Sequence, residues 1–147
     1  MKRILLFTAM LFMALGVFAQ YVDLGLPSGT KWKTFNEPGF YTYEEAMSKF
    51  TYQLPTYEQW GELYGVCDWI WLGDAYKVIG PNGNFIKLPA AGDRTATSLG
   101  HVPNNGHYWS ATERDSDYAY YLYFNSNKAD MSHGYRGSGR SVRLVQD

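Results

Sequence analysis

Apolar residues in the first half of the chain recur with the period of an α-helix in two short segments. In the first segment they fall at i, i+3, i+4 and i+7. Thr42 directly precedes this segment and Glu45 follows three residues later, which is the spacing of a capping box. Thr56 and Gln59 repeat that spacing at the start of a second apolar stripe. Gly65 is expected to end this second helix. The pattern therefore predicts two amphipathic helices whose apolar faces pack on a core.

From residue 66 onward, short apolar runs alternate with turn-forming residues, which is typical of a β-rich region. Asn82-Gly83 predicts a hairpin between the first two of these runs. The polar segment 92–106 is expected to form a long surface loop. The predicted strands cover residues 76–79, 85–88, 108–112, 118–124 and 141–145.

The predicted strand at 118–124 has aromatic residues on both faces, because successive side chains of a strand point in opposite directions. One face carries Tyr118, Tyr120, Leu122 and Phe124, and the other carries Ala119, Tyr121 and Tyr123. We expect the core to cover one of these faces and the other to be partly exposed.

The N-terminal 19 residues have the order of a secretory signal peptide. Lys2 and Arg3 precede an apolar run, which ends in Val17-Phe18-Ala19 before Gln20. A membrane anchor is the alternative, but fifteen apolar residues span only about 22 Å at 1.5 Å per residue, against ~30 Å of hydrocarbon. The interpretation is a signal peptide at 1–19 and a single domain at 20–147. It implies an exported protein, in the periplasm, on the outer surface or secreted, with no membrane insertion after cleavage.

Composition and charge exclude several classes of protein. Aromatic residues make up 18% of the chain, which is far too many for a disordered chain. Without Lys2 and Arg3, 11 of the 13 basic residues remain against 14 acidic ones, and a net charge of −3 argues against a nucleic-acid partner. Cys67 is the single cysteine, which excludes an intramolecular disulfide and a zinc site of several thiolates, and we expect it to be buried and inert.

Sequence motifs for catalysis or metal binding are weak. Asp115 and Asp117 lack the glycine and distal glutamate of a calcium loop, so a solvated turn with a local Arg–Asp pair is favoured. The three histidines, at 101, 107 and 133, lack metal-ligand spacing and are interpreted as loop histidines. Ser138 does not match the nucleophile elbow of serine hydrolases. The sequence therefore predicts no enzyme, no cofactor and no metal, with an uncharacterised hydrolase as the remaining enzymatic alternative.

Five blocks of sequence stand in the order found in a known family: residues 21–32 (YVDLGLPSGTKW), 54–56 (LPT), 88–92 (LPAAG), 108–112 (YWSAT) and 139–145 (GRSVRLV). In these blocks the chain resembles the Fibrobacter succinogenes major paralogous domain of exported Bacteroidota proteins. The resemblance implies an α+β, C-type-lectin-like fold of the formylglycine-generating-enzyme variant, with two short helices, a small twisted, mostly antiparallel sheet and long loops. It implies no known activity. The oxidase of that fold needs a pair of cysteines, which this chain lacks.

The surplus of tyrosine and tryptophan is the remaining pointer to function. Aromatic rings with a polar tip are suited to stacking on sugar faces or anchoring protein interfaces, although they also fill cores. The candidate ligand-binding residues are Arg114, Tyr118, Tyr120, Tyr123, Asn127, Tyr135 and Arg136. The predicted function is a non-enzymatic recognition domain for glycan or protein ligands at the cell envelope. The alternative is a structural subunit of a surface assembly.

Overall fold

A computed structural model describes residues 20–95 and 98–147. The predicted signal peptide at 1–19 lies outside these residues. Within the described part of the chain, no helix is long and apolar enough to cross a membrane.

The two predicted helices are present, and both begin with a complete capping box. They are α1 (Tyr43–Lys49) and α2 (Tyr57–Val66). The Glu45 N–H donates to Thr42 Oγ1 at 3.2 Å, and the equivalent distance from Gln59 to Thr56 is 3.1 Å. The expected stop at Gly65 is wrong. The helix continues through Val66, because the Cys67 N–H still bonds the Leu63 carbonyl at 3.3 Å before the backbone becomes extended.

Eleven strands form four small sheets among the described residues, and every pairing between strands is antiparallel. The first sheet, in the order β1-β2-β11, consists of β1 (Tyr21–Asp23), β2 (Lys31–Lys33) and β11 (Val145–Gln146). The second, β3-β4-β5, consists of β3 (Asp68–Trp71), β4 (Ala75–Ile79) and β5 (Phe85–Pro89). A two-stranded sheet pairs β6 (Asp93–Arg94) with β7 (Leu99–Gly100). The largest, β8-β9-β10, consists of β8 (Gly106–Glu113), β9 (Tyr118–Asn125) and β10 (Lys128–Tyr135).

The hairpin predicted at Asn82-Gly83 is confirmed, and it joins β4 to β5. Gly83 adopts a φ of +86°, a left-handed conformation that glycine tolerates best. The Asn82 side chain donates from Nδ2 to the Asp23 carbonyl at 2.8 Å, so this turn is fastened to the end of β1. Local turn chemistry and a tertiary contact therefore act on the same residue.

The expected α+β, C-type-lectin-like fold class is wrong, because the described residues are 44% strand and 13% helix. Residues 125–140, between the predicted strands 118–124 and 141–145, were expected to be loop. Instead, β10 pairs with β9 over eight residues, from Lys128 opposite Asn125 to Tyr135 opposite Tyr118. Backbone hydrogen bonds form this ladder whatever the side chains are, and an edge strand tolerates polar residues. The polar segment 92–106 likewise contains β6 and β7 rather than one long loop.

Two groups of buried residues lie on opposite faces of the β8–β10 sheet. Leu122 and Phe124 of β9 belong to the first group, with Trp32, Trp60 and Tyr108. Ala119 and Tyr121 belong to the second, with Tyr43, Trp109 and Val142. Both faces of β9 are thus buried in its middle, which corrects the expectation of one partly exposed face. Exposure changes along the strand instead, because Tyr118 at its beginning is 41% exposed.

Arg143 is fully buried and connects three segments of the chain. Its Nε donates to Asn36 Oδ1 at 2.9 Å, Nη1 to the Lys33 carbonyl at 3.0 Å and Nη2 to the Lys87 carbonyl at 2.6 Å. Burial lowers the pKa of Arg143 to about 10, so the guanidinium stays charged at neutral pH. The described residues place no carboxylate on it, and backbone and amide oxygens hold the charge.

Candidate functional site

Four side chains share one face of the β9–β10 hairpin at the end away from its turn. Tyr118 lies directly opposite Tyr135, and Tyr120 lies directly opposite His133. Side chains two residues apart on a strand point the same way, so all four project from one face. His133 contacts Tyr118 and Tyr120 of β9, with ring centroids 6.1 Å from Tyr118 and 6.2 Å from Tyr120. The register of the hairpin therefore assembles a ladder of rings.

This ladder continues onto the first turn of α2. The Tyr57 ring packs edge-on against Tyr120, with centroids 5.1 Å apart. Tyr57 is 40% exposed and Tyr135 is 62% exposed, so the outer parts of the ladder are open to solvent. Arg114 lies at the rim, with Nη1 3.1 Å from Nδ1 of His133. We refer to Tyr57, Tyr118, Tyr120, His133 and Tyr135 together as the aromatic face.

A turn before β9 positions the first ring of the aromatic face. The Asp115 carboxylate accepts hydrogen bonds from the N–H groups of Asp117 at 2.9 Å and Tyr118 at 2.8 Å. These backbone hydrogen bonds, led by the one from Asp117, lower the pKa of Asp115. The predicted solvated turn is confirmed, but Arg114 contacts His133 rather than forming the predicted ion pair with an aspartate. The turn fixes the point at which Tyr118 enters the sheet.

A cavity of about 180 Å³ opens beside the aromatic face, between α2 and the β9–β10 hairpin. Its lining residues are Tyr57, Trp60, Gly61, Tyr64, Leu122, Asp130 and Met131. Gly61 leaves its side of the cavity open, since a Cβ added there would meet no atom within 4 Å. The cavity joins the exposed rings to apolar side chains that include Trp60, Leu122 and Met131.

The structure brings together four of the seven predicted ligand-binding residues, Arg114, Tyr118, Tyr120 and Tyr135, and separates the other three. Tyr123 lies on the opposite face of the sheet, 5.3 Å from the His107 ring. Asn127 lies in the β9–β10 turn, roughly 20 Å or more along the hairpin from Tyr118. Arg136 is held by Glu44 at 2.8 Å and by Glu113 at 3.2 Å, so its guanidinium connects α1 to β8.

Tyr57 and Tyr64 belong to the surface around this site, although their helical spacing predicted a place in the core. Trp60 and Leu63 occupy the centre of the same stripe and are buried, which leaves the two tyrosines at its margins. One feature of the sequence could have predicted the exposure of Tyr57. It directly follows the N-cap Thr56, and a side chain at that position lies at the open end of the helix.

A second group of polar side chains, Asp93, His101 and His107, lies on the other side of the β8–β10 sheet. His101 follows β7 and its Nδ1 lies 2.7 Å from Oδ1 of Asp93. His107 on β8 places Nε2 3.9 Å from the same oxygen. One donor atom from each of the three residues lies within 4.8 Å of the others. We call this group the Asp–His–His cluster.

Two backbone features bring the three residues together. Asp93 pairs with Gly100 across the β6–β7 sheet, so His101 follows immediately beside it. A parallel bridge between Gly92 and Gly106 then places His107 next to Asp93. Gly92 has a φ of +75°, and a Cβ there would collide with the Gly100 carbonyl. Only glycine fits this crossing, and sequence spacing alone does not reveal it.

His107 is 6% exposed, and its ring stacks on Tyr121 with centroids 5.5 Å apart. Neither of its ring nitrogens has a hydrogen-bond partner among the described residues. Burial lowers the pKa of His107 to about 4 against the opposing effect of Asp93, so the ring is neutral at pH 7. The interpretation as loop histidines is wrong for His107 and His133, which lie on strands; His101 does lie in a loop.

Arg140 is buried beside the Asp–His–His cluster. Its guanidinium lies over Tyr121 at 4.0 Å and over Trp109 at 4.5 Å from the ring centroids. Nε and Nη1 have no hydrogen-bond partner within the described part of the chain. Burial lowers the pKa of Arg140, and Tyr121 and, to a smaller extent, the Asp93 carboxylate oppose that effect. The positive charge of Arg140 is therefore close enough to act on Asp93 and His107 of the cluster.

Fold and surface together define a β-rich domain with a row of aromatic rings at its surface and a separate polar cluster in which His107 is buried. Residues 68–145 match the family described as Domain of unknown function (DUF8237), and the chain belongs to that family. The matched segment contains β3–β10 with the Asp–His–His cluster and the whole aromatic face except Tyr57. No curated protein and no solved structure matches the chain. The resemblance to the Fibrobacter succinogenes major paralogous domain stays a prediction.

Proposed function

We propose that the protein is an exported, non-enzymatic recognition domain whose aromatic face binds glycan chains. The observation that carries this proposal is the row of rings formed by Tyr57, Tyr118, Tyr120, His133 and Tyr135, of which all but the half-buried Tyr120 are exposed. Export rests on the leader sequence at residues 1–19.

The chemistry of this face is suited to sugars. One side of a pyranose ring presents C–H groups that stack on an aromatic face, while its hydroxyl groups project from the rim. The tyrosine hydroxyls and the Arg114 guanidinium supply polar groups beside the rings. Each sugar unit therefore has an apolar surface to cover and hydrogen-bonding groups within reach.

The dimensions favour an extended chain over a small buried molecule. The cavity beside the rings has about 180 Å³, whereas sites that enclose a drug-sized ligand occupy roughly 300–1,000 Å³. A ligand lying across the rings gains many shallow contacts and few enclosed ones. We therefore expect modest affinity for single sugars and stronger binding to oligosaccharides.

The outer edge of β10 favours the second candidate, a structural subunit of a surface assembly. This strand is eight residues long and pairs only with β9 among the described residues. An unpaired edge can accept a strand from a partner. However, Lys128 and Asp130 place charged side chains on this strand, and edge charges are a common protection against pairing. Glycan recognition is therefore the better-supported function.

A glycan array with the mature protein tests the proposal. We expect oligosaccharide binding that weakens at least tenfold in Tyr118→Ala combined with Tyr135→Ala. Tyr52→Ala is the matched control, because Tyr52 is a tyrosine 97% exposed outside the aromatic face. Gly61→Leu is expected to weaken binding by filling the cavity without removing any ring.

Two results would contradict glycan recognition. The first is an array without any bound glycan, and the second is equal loss of binding in Tyr52→Ala and in the double variant. Concentration-dependent growth in mass on light scattering, abolished by Ser132→Pro on β10, would favour the structural subunit instead.

A further inference from the structure

The Asp–His–His cluster has the donor set and the spacing of a transition-metal site. Its donors are one carboxylate oxygen and two imidazole nitrogens, supplied by the β6 strand, the segment after β7 and the β8 strand. Four-coordinate zinc binds such ligands at about 2.0–2.2 Å, which places neighbouring donors about 3.3 Å apart. The observed separations of 2.7 Å and 3.9 Å from Asp93 Oδ1 lie on either side of that value.

The buried, unpartnered ring of His107 is an independent observation that points to a ligand at Nε2. A buried polar group without a partner costs about 1–3 kcal/mol, so proteins seldom leave one unsatisfied. His107 is more than nine-tenths buried, both of its nitrogens are unpartnered, and Nε2 faces the Asp93 carboxylate. A metal ion between the two residues would satisfy this nitrogen.

The surroundings hold these side chains in place. His107 is stacked on Tyr121 and meets Tyr123 edge-on, which fixes the plane of its ring. His101 has a φ of +63°, a conformation uncommon for a residue with a side chain. It is turned toward Asp93, and its ring lies 5.8 Å from that of His107. The donors are therefore positioned before any ion binds.

We propose that Asp93, His101 and His107 bind one zinc ion. Imidazole nitrogens favour zinc and its neighbours among the transition metals, whereas calcium and magnesium prefer sites of oxygen ligands alone. Three protein ligands leave a fourth position for water or an anion. This site lies on the opposite face of the sheet from Tyr118, and it is independent of glycan binding.

Zinc binding is tested on the protein expressed with its own leader, purified without a histidine tag and treated with a chelator. Isothermal titration with zinc chloride is expected to give one ion per chain and a higher Tm, and calcium chloride is expected to give neither. His101→Ala is the first variant, because this side chain is largely exposed and its loss leaves the core intact. Asp93→Asn is the second, since it keeps the shape of the side chain.

We expect each variant to bind zinc at least about 100-fold more weakly, because even partners outside the coordination sphere change metal affinity ~10–100-fold. His133→Ala is the matched control: it removes a third, exposed histidine that lies outside the cluster, and it should bind like the wild type. The proposal is overturned if the wild type binds no zinc at a 1:1 ratio, if calcium binds equally well, or if His101→Ala and His133→Ala behave alike.

Discussion

Replacing Arg143 with methionine examines how a buried guanidinium stabilises this fold. The substitution keeps an unbranched side chain of similar length and removes three hydrogen bonds, to Asn36 Oδ1 and to the carbonyls of Lys33 and Lys87. These acceptors belong to two segments, residues 33–36 and Lys87, which are distant in the sequence from each other and from Arg143. Their loss therefore separates the loop after β2, the β5 strand and the C-terminal segment at once.

The expected loss follows from two opposing contributions. Hydrogen bonds to a charged group contribute ~1.5–3 kcal/mol each, which favours the wild type. Removing a buried charge that has no carboxylate partner returns several kcal/mol. A cavity of about 360 Å³ borders Arg143, Asn36 and Lys87. Water in this cavity can donate hydrogen bonds to some of the acceptors that lose the guanidinium in the variant. We expect a net loss of about 3 kcal/mol, or about 10 °C in Tm for a domain of this size.

Urea unfolding monitored by tryptophan fluorescence measures this loss, with near-UV circular dichroism to verify the native packing. Arg143→Lys is the control, because it keeps the positive charge but cannot reach all three acceptors from one ammonium group. We expect it to be at least as destabilised as Arg143→Met. A methionine variant as stable as the wild type would refute the reasoning, since the hydrogen bonds would then merely offset the desolvation of the charge.

Three further predictions concern the helices and the cysteine. Gly65→Ala is expected to raise the free energy of unfolding by ~0.5–1 kcal/mol, because Gly65 lies inside α2 with open space around it; destabilisation would mean that Gly65 ends the helix after all. Thr56→Ala should lower it by ~1 kcal/mol through loss of the cap on α2, measured by thermal unfolding beside the exposed control Thr51→Ala. Burial raises the pKa of Cys67 from 9.0 to about 11, so we expect the native thiol to resist alkylation at pH 8. Because the folded protein holds this proton more tightly, the stability linked to Cys67 is complete below pH 9 and is lost as the pH rises toward 11, a slope that Cys67→Ala should remove.

The two surfaces lie on opposite faces of one sheet, and β9 links them. Tyr118 and Tyr120 contribute to the aromatic face, while Tyr121 stacks on His107 of the Asp–His–His cluster. Because β9 carries residues of both proposed sites, zinc binding and glycan binding can be tested in the same variants. Independence of the two sites predicts that His101→Ala binds glycans as the wild type does.

Local features of the sequence were sufficient wherever the stabilising contact spans only a few residues. Both capping boxes join residues three positions apart, and both helices begin where these pairs predict. The hairpin at Asn82-Gly83 likewise depends on neighbouring residues. The burial of Cys67 followed from the ordinary behaviour of a free cysteine and is confirmed.

The candidate ligand residues were predicted in part. Alternation along β9 placed Tyr118 and Tyr120 on one face, and that arrangement is confirmed. The structure does not bring Tyr123, Asn127 and Arg136 to these two rings, and Tyr123 lies on the other face of β9, as the alternation predicted. The register between β9 and β10 determines which side chains are neighbours. It sets Tyr135 opposite Tyr118 and places Asn127 at the other end of the hairpin.

By itself, the sequence determined the two capped helices, the β4–β5 hairpin, the positions of β8 and β9 and a surplus of aromatic rings. Only the tertiary structure decided the fold class, because β10 and the short strands β1, β2 and β11 depend on partners elsewhere in the chain. Only the tertiary structure brings the Asp–His–His cluster together. Its members come from three segments of the chain, and the bridge between Gly92 and Gly106 places two of them side by side. The physical reason is the same in both cases: backbone pairing between distant segments brings side chains together without leaving a periodic pattern in the sequence.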